Sequence, residues 1–327
     1  MEAHIYIHPA NFEYNGIDTE SQVVAKYEYL LRDWSDLRDS PTHEENKFYV
    51  LSGVHVVNAY KQQNIYDFIF AHLRPEESGL FLTILGDTSI GKHIQEPTIE
   101  ELTKQCVYQE GEAFATTMMV LNVPSLEDVP QVNPYIQFED YQIVYGRTSW
   151  QTFRRQILGN HPGDDPAVFI EECKKYFPNL LFHENCTNSL TYKEFDCINT
   201  CPRKIIYYLS CLNDCYHLLC KEYHDAGKNN EPNDILADFS GRYGFDRAAS
   251  IQGDPASKDT RTFTFKHPDE DREIDVLCDL HFKITSPDIR YKGRICGNYN
   301  PRIYFGIRNN EDYSSIKIYV GSIGEHL

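Results

Sequence analysis

The chain has 327 residues, 41% of them hydrophobic and 24% charged, with a formal charge of −18 and ten cysteines. This length suits two or three cores rather than one, and 23 Tyr and 18 Phe exclude a disordered chain. The acidic balance argues against broad, unspecific binding to nucleic acid, because phosphate contacts need a basic surface.

No apolar run approaches the roughly 20 residues that span a bilayer. The opening Met1-Glu-Ala-His-Ile-Tyr-Ile-His8 carries an acid where a signal peptide needs basic residues, so a cytoplasmic location and no membrane partner are expected. In a reducing compartment the cysteines are expected as buried thiols.

From the N-terminus, His4 to His8 reads as a strand, and Ser21 to Arg38 as a helix with Val24, Tyr27, Leu30, Leu31 and Trp34 at helical spacing. Phe48 to Val57 reads as a strand broken at Gly53. Asn64 caps a short helix through His72. Leu80 to Leu85 reads as a strand, Thr98 with Glu101 as the capping box of a helix through Gln105, and Glu110 to Asn122 as another helix. The Pro- and acid-rich stretch from Val123 to Asp140 reads as a long surface connection.

Asp165-Pro166 starts a helix to Tyr176, followed by a short run at Leu180 to His183. The longest helix is expected from Pro202 to Asp225, with an apolar stripe at Ile205, Tyr208, Leu209, Leu212, Tyr216 and Leu219 and a stop at Gly227. From Arg261 onward, short β-branched and aromatic runs bounded by Pro, Gly or Asn read as strands. The fold expected is α+β: an α/β N-terminal domain (1–160), a helical middle region (161–255) and a small antiparallel β-sheet at the C-terminus (256–327).

Two motifs weaken on inspection. Gly86-Asp-Thr-Ser-Ile-Gly91-Lys92-His93 nearly spells a phosphate-binding loop, but His93 replaces the hydroxyl that would hold Mg²⁺, and Pro97 interrupts the helix that should follow. It reads as an ordinary glycine turn. Cys186, Cys197, Cys201, Cys211, Cys215 and Cys220, with His183, His217 and His224, could offer zinc ligands, yet no C-x-x-C pair is present. These read as thiols filling gaps between helices, and no cofactor is expected.

The C-terminal segment carries the chemistry. From His281 to Leu327 seven Lys and Arg face four Asp and Glu, a net of +3, which leaves −21 on the preceding residues. His281 and Lys283 are two apart and so share a strand face, as do Arg302 and Tyr304, and Lys317 and Tyr319. Such a face could hold a phosphodiester, with Lys283 and Arg302 stabilising charge, Tyr304 positioning, and His281 or His326 moving a proton. A metal-dependent alternative would use Glu273, Asp275 and Asp279 with Lys283, although His281 stands where the second acid belongs.

The run Asn300-Pro-Arg302-Ile-Tyr304-Phe, then Ile316-Lys317-Ile-Tyr-Val and a late His326, resembles the closing strands of RelE-type toxin ribonucleases. More closely, His281-x-Lys283, Arg302-Ile-Tyr-Phe and Gly321-Ser-Ile-Gly-Glu-His326-Leu327 resemble the C-terminal signature of uncharacterised bacterial proteins with a phage-defence setting. The likeness covers residues 261–327 and departs from RelE-type toxins in length and in the large acidic body. It implies an antiviral-defence effector with a metal-independent, ribonuclease-like C-terminal module. The site residues would be His281, Lys283, Arg302, Tyr304 and His326, and the partner a nucleic acid, RNA before DNA. The non-enzymatic alternative is a protein-binding or regulatory subunit of a defence complex, with a protein partner on the acidic body.

Overall fold

In a computed structural model the protein is described at residues 2–7, 12–38, 46–50, 52–86, 114–119, 143–144, 146–160, 162–191, 197–227, 232–245, 247–253, 258–266, 272–284, 290–291, 294–295, 301–308, 316–324 and 327. The chain divides into two compact units, Met1–Phe153 and Arg154–Leu327. The expected helix through Gln105, the connection at 123–140 and almost all of the glycine motif at 86–93 lie outside the described residues.

In the first unit, β1 (Glu2–Ile7), α1 (Glu20–Arg38), β2 (Asn46–Val50), β3 (Asn58–Tyr60), β4 (Gln63–Asn64), α2 (Ile65–His72), α3 (Pro75–Gly86), β5 (Phe114–Met119) and β6 (Ile143–Val144) follow in order. A parallel sheet runs β2-β1-β5-β6. The helices meet on aromatic rings: Tyr27 lies 5.8 Å from Phe12, 5.0 Å from Phe68 and 5.3 Å from Phe81. The Tyr27 hydroxyl donates to the Phe12 carbonyl at 2.8 Å, so its one polar atom is satisfied inside the core.

Three expectations change here. Leu80 to Leu85 is helical, because Pro75 fits the first turn and Glu77 accepts the Arg74 N–H at 3.1 Å. Phe81, Ile84 and Leu85 then bury one face of α3. Within Glu110 to Asn122, Phe114–Met119 is a strand, paired in register with β1 from Glu2↔Phe114 to Ile7↔Met119. A central strand with two neighbours outweighs local helix propensity. Past Val50 the expected strand becomes a 3₁₀ turn at Ser52–Val56.

The helix α4 (Gly146–Asn160) crosses the division between the units. The second unit continues with α5 (Pro166–Tyr176), β7 (Leu180–Phe182), α6 (Asn185–Ser189), α7 (Cys197–Thr200), α8 (Pro202–Asp225), α9 (Pro232–Arg242), β8 (Ser250–Ile251), β9 (Thr262–Lys266), β10 (Glu273–Leu277), β11 (Leu280–Lys283), β12 (Arg290–Tyr291), β13 (Arg294–Ile295), β14 (Arg302–Arg308) and β15 (Lys317–Gly324). Its main sheet has the order β7-β15-β14-β11-β8, antiparallel except where β7 joins β15. The middle region therefore does not stand apart: it supplies both edge strands of the C-terminal sheet.

One face of this sheet packs on α8 and α9. Phe282 meets Tyr208 at 5.7 Å, Phe239 at 6.0 Å, Phe245 at 4.9 Å and Phe305 at 4.9 Å. The other face lies under the β9–β10 hairpin, whose Phe263, Phe265, Ile274 and Val276 point inward while Thr262, Thr264, Lys266, Glu273 and Asp275 point out. The hairpin sits so close that a Cβ at Gly321 would overlap the Phe263 ring, and one at Gly306 the Leu277 carbonyl. Only glycine leaves that room.

Candidate functional site

The residues singled out in the C-terminal sheet are neighbours in space. His281 pairs with Tyr304 and Lys283 with Arg302 across β11 and β14, so all four share the face expected from alternation. That face is not open. His281 is 1% exposed, Tyr304 0% and Arg302 9%, while Lys283 is half-buried. His326 lies outside the described residues.

Each buried group has local partners. His281 Nε2 lies 3.2 Å from the Ser250 hydroxyl on β8, and its ring is 5.3 Å from that of Tyr304. The Tyr304 hydroxyl accepts from Arg302 Nη1 at 3.1 Å and from the Leu327 N–H at 3.2 Å, and donates to the Leu327 main-chain oxygen at 3.2 Å. A phenol thus committed has no capacity left for a substrate in this arrangement. Arg302 Nη1 also donates to Gln252 Oε1 at 2.7 Å. Burial, with the charges of Arg302 and Arg247, holds the Lys283 ammonium below its ordinary value.

The acids of the metal-dependent alternative are spread out. Glu273 and Asp275 sit on the outer face of β10, where Asp275 accepts from the Thr264 hydroxyl at 2.7 Å. Asp279 follows that strand, its carboxyl pushed above the usual range by burial. Among the described residues no group of three or more His, Cys, Asp or Glu is placed to hold a metal ion. Cys186, Cys197, Cys201, Cys211, Cys215 and Cys220 are all buried free thiols. Burial pushes the thiols of Cys186 and Cys220 up to about 12.

A concavity lies elsewhere in the second unit. A cleft of about 950 Å³ runs between β7 and β9 and is lined by Leu181, Phe182, His183, Phe263, Thr264 and Phe265. Lys174 and Lys266 bring positive charge to it, Glu184 and Glu273 negative. His183 bridges the two strands. Its ring lies 5.0 Å from Phe263 and 5.3 Å from Phe265, and Nδ1 accepts the Asn185 N–H at 3.1 Å. The neutral ring therefore carries its proton on Nε2. Burial is the chief cause that holds this imidazole below its ordinary value.

The sheet orders leave the outer edges of β7 and β9 without a strand neighbour among the described residues. His183 gives its N–H to Val320 at 2.9 Å, so by alternation Phe182 turns its main chain the other way, toward the cleft. The Cys278 N–H bonds the Arg261 carbonyl at 2.8 Å, so in the β9–β10 register Thr264 and Lys266 turn their main chains away from β10. Sequence reading did not single out this place. The alternation Thr262-Phe-Thr-Phe-Lys266 marks β9 as amphipathic, but nothing local says that its edge faces β7.

No family model, curated protein or solved structure matches the chain. Among the described residues no helix is long and apolar enough to cross a membrane.

Proposed function

We infer that the chain is a binding subunit rather than a catalyst, and that its second unit takes an extended segment of a partner protein by strand addition. The observation that carries this reading is the cleft between two open strand edges, β7 and β9. Main-chain groups at such edges bind an extended peptide without regard to its side chains, and the flanking pockets supply selectivity. Here Phe182, Phe263 and Phe265 favour apolar side chains, and charges of both signs at the rim set the register. A defence setting for that partner rests on the resemblance of the C-terminal signature.

The ribonuclease-like reading draws support from the adjacency of His281, Lys283, Arg302 and Tyr304. It is the weaker one, because His281 and Tyr304 are closed off from a polymer substrate.

The test is binding of a displayed random-peptide library, with affinities of enriched peptides measured by fluorescence anisotropy. Thr264→Pro removes one edge N–H on a strand that tolerates proline there. It is expected to weaken enriched peptides by roughly tenfold while leaving the circular dichroism spectrum unchanged. Enrichment insensitive to Thr264→Pro, or no enrichment from folded protein, would count against the reading. Cleavage of RNA in chelator, lost in Lys283→Ala and Arg302→Ala, would restore the enzymatic one.

A further inference from the structure

Where β11 ends and β14 begins, the sheet brings positive charges together. Lys283 and Arg302 are register neighbours, and the charges of Arg302 and Arg247 both act to lower the Lys283 ammonium. Among the described residues, no carboxylate forms an ion pair with Lys283 or Arg302. Acids are not scarce in this chain, with 49 Asp and Glu against 31 Lys and Arg. Two other buried arginines are matched: Arg155 holds Asp214 at 2.6 Å, and Arg154 lies 3.9 Å from Glu172.

Arg302 is the centre of the cluster. At 9% exposure it is a buried cation, and burying charge is costly unless the charge is paired. Both bonds of its guanidinium run from Nη1, to the neutral Gln252 amide and the Tyr304 hydroxyl. Nε is buried without a partner among the described residues. The remaining Nε–Nη2 edge is the one with which a guanidinium grips two oxygens of one anion. On β15, at the position paired with Tyr304, the Ser322 hydroxyl is likewise buried without a partner among those residues.

We propose that Arg302, Lys283 and Arg247 form a binding site for a small phosphate dianion, either inorganic phosphate or the terminal phosphate of a mononucleotide-sized ester. The guanidinium edge takes two phosphate oxygens. Lys283 then faces the remaining charge from the neighbouring strand, and the exposed Arg247 adds a third positive charge. A carboxylate would satisfy the guanidinium edge but carries only one charge for three cations. A phosphate monoester carries about 1.5 to 2 near neutral pH. The burial of Arg302 limits the ligand to a compact group. None of the three residues lines the β7–β9 cleft, so this site and the peptide reading stand or fall separately.

The test is thermal unfolding of the full chain titrated with sodium phosphate, adenosine monophosphate or a single-stranded RNA oligomer, with ionic strength held constant by sodium chloride. A saturable rise in Tm with phosphate or the monophosphate is expected, and none with chloride. Arg302→Lys keeps the charge but loses the fork, and weakens phosphate binding by roughly tenfold. Lys283→Gln removes a like charge from the free cluster and a contact from the bound one. It therefore raises the Tm of the free protein and flattens the phosphate response. A lysine that only packed would lower Tm and leave that response intact. Equal responses in wild type and both variants, no response to either phosphate, or a response confined to RNA overturns the proposal.

Discussion

His183 joins the main sheet to its covering hairpin through one neutral ring. It accepts from Asn185 and packs against Phe263 and Phe265. Protonating it forfeits the Asn185 bond and places charge among phenylalanines. Because burial lowers its folded pKa below the ordinary 6.5, the unfolded chain takes up the proton first. Its contribution is therefore complete above about pH 6.5 and is lost as pH falls below it. His217, also lowered chiefly by burial, adds a term of the same sign. Urea midpoints are expected to fall from about pH 7.5 to about pH 5.5, with a shallower slope in His183→Gln. An unchanged slope in that variant would remove His183 from the account. The strand alternation told which of His281, Lys283, Arg302 and Tyr304 share a face. It could not tell that the face is covered, because the cover comes from another pair of strands.

At the scale of elements, close approach decides as much as hydrophobic pattern. The β9–β10 hairpin reaches the main sheet only because Gly306 and Gly321 present no side chain to Leu277 and Phe263. Gly321→Ala is expected to cost about 1–3 kcal/mol, read as a lower urea midpoint, because the added methyl meets a ring held on its far side. An unchanged midpoint would mean that the hairpin does not pack as described. Helices with strong end signals were legible: Asn64 before α2, Asp165-Pro166 before α5, and the long stripe of α8. The apolar run at Leu80–Leu85 was not, since six such residues fit a strand or a buried helix equally well. Pro75 and Glu77 settle it from upstream.

At the scale of the whole molecule, the segments that the sequence divides near residue 255 form one unit. Residues 180–182 and 250–251 supply the edges of the C-terminal sheet, and α8 and α9 cover one of its faces. Arg155 ties α4 into the same unit through Asp214 and the Tyr176 carbonyl, at 2.6 and 2.7 Å. A fragment of residues 146–327 is therefore expected to unfold cooperatively in urea. Residues 256–327 alone, without the helical layer over Phe282 and Phe305, should show no cooperative transition. A cooperative transition in the short fragment would restore the three-part division.

Composition and periodicity determined the α+β class, the long amphipathic α8, and the C-terminal strands with their shared polar face. These are local properties, set by side-chain spacing along one segment. Only the tertiary structure decided that this face is buried, that β5 is a strand beside β1, and that β7 and β9 leave a cleft between open edges. Each of those depends on a partner far away in the chain, and neither the spacing of residues nor their propensities encodes which distant segment will arrive. The pairing of Lys283 with Arg302 belongs to the same class: the charges are visible in sequence, their nearness only in the fold.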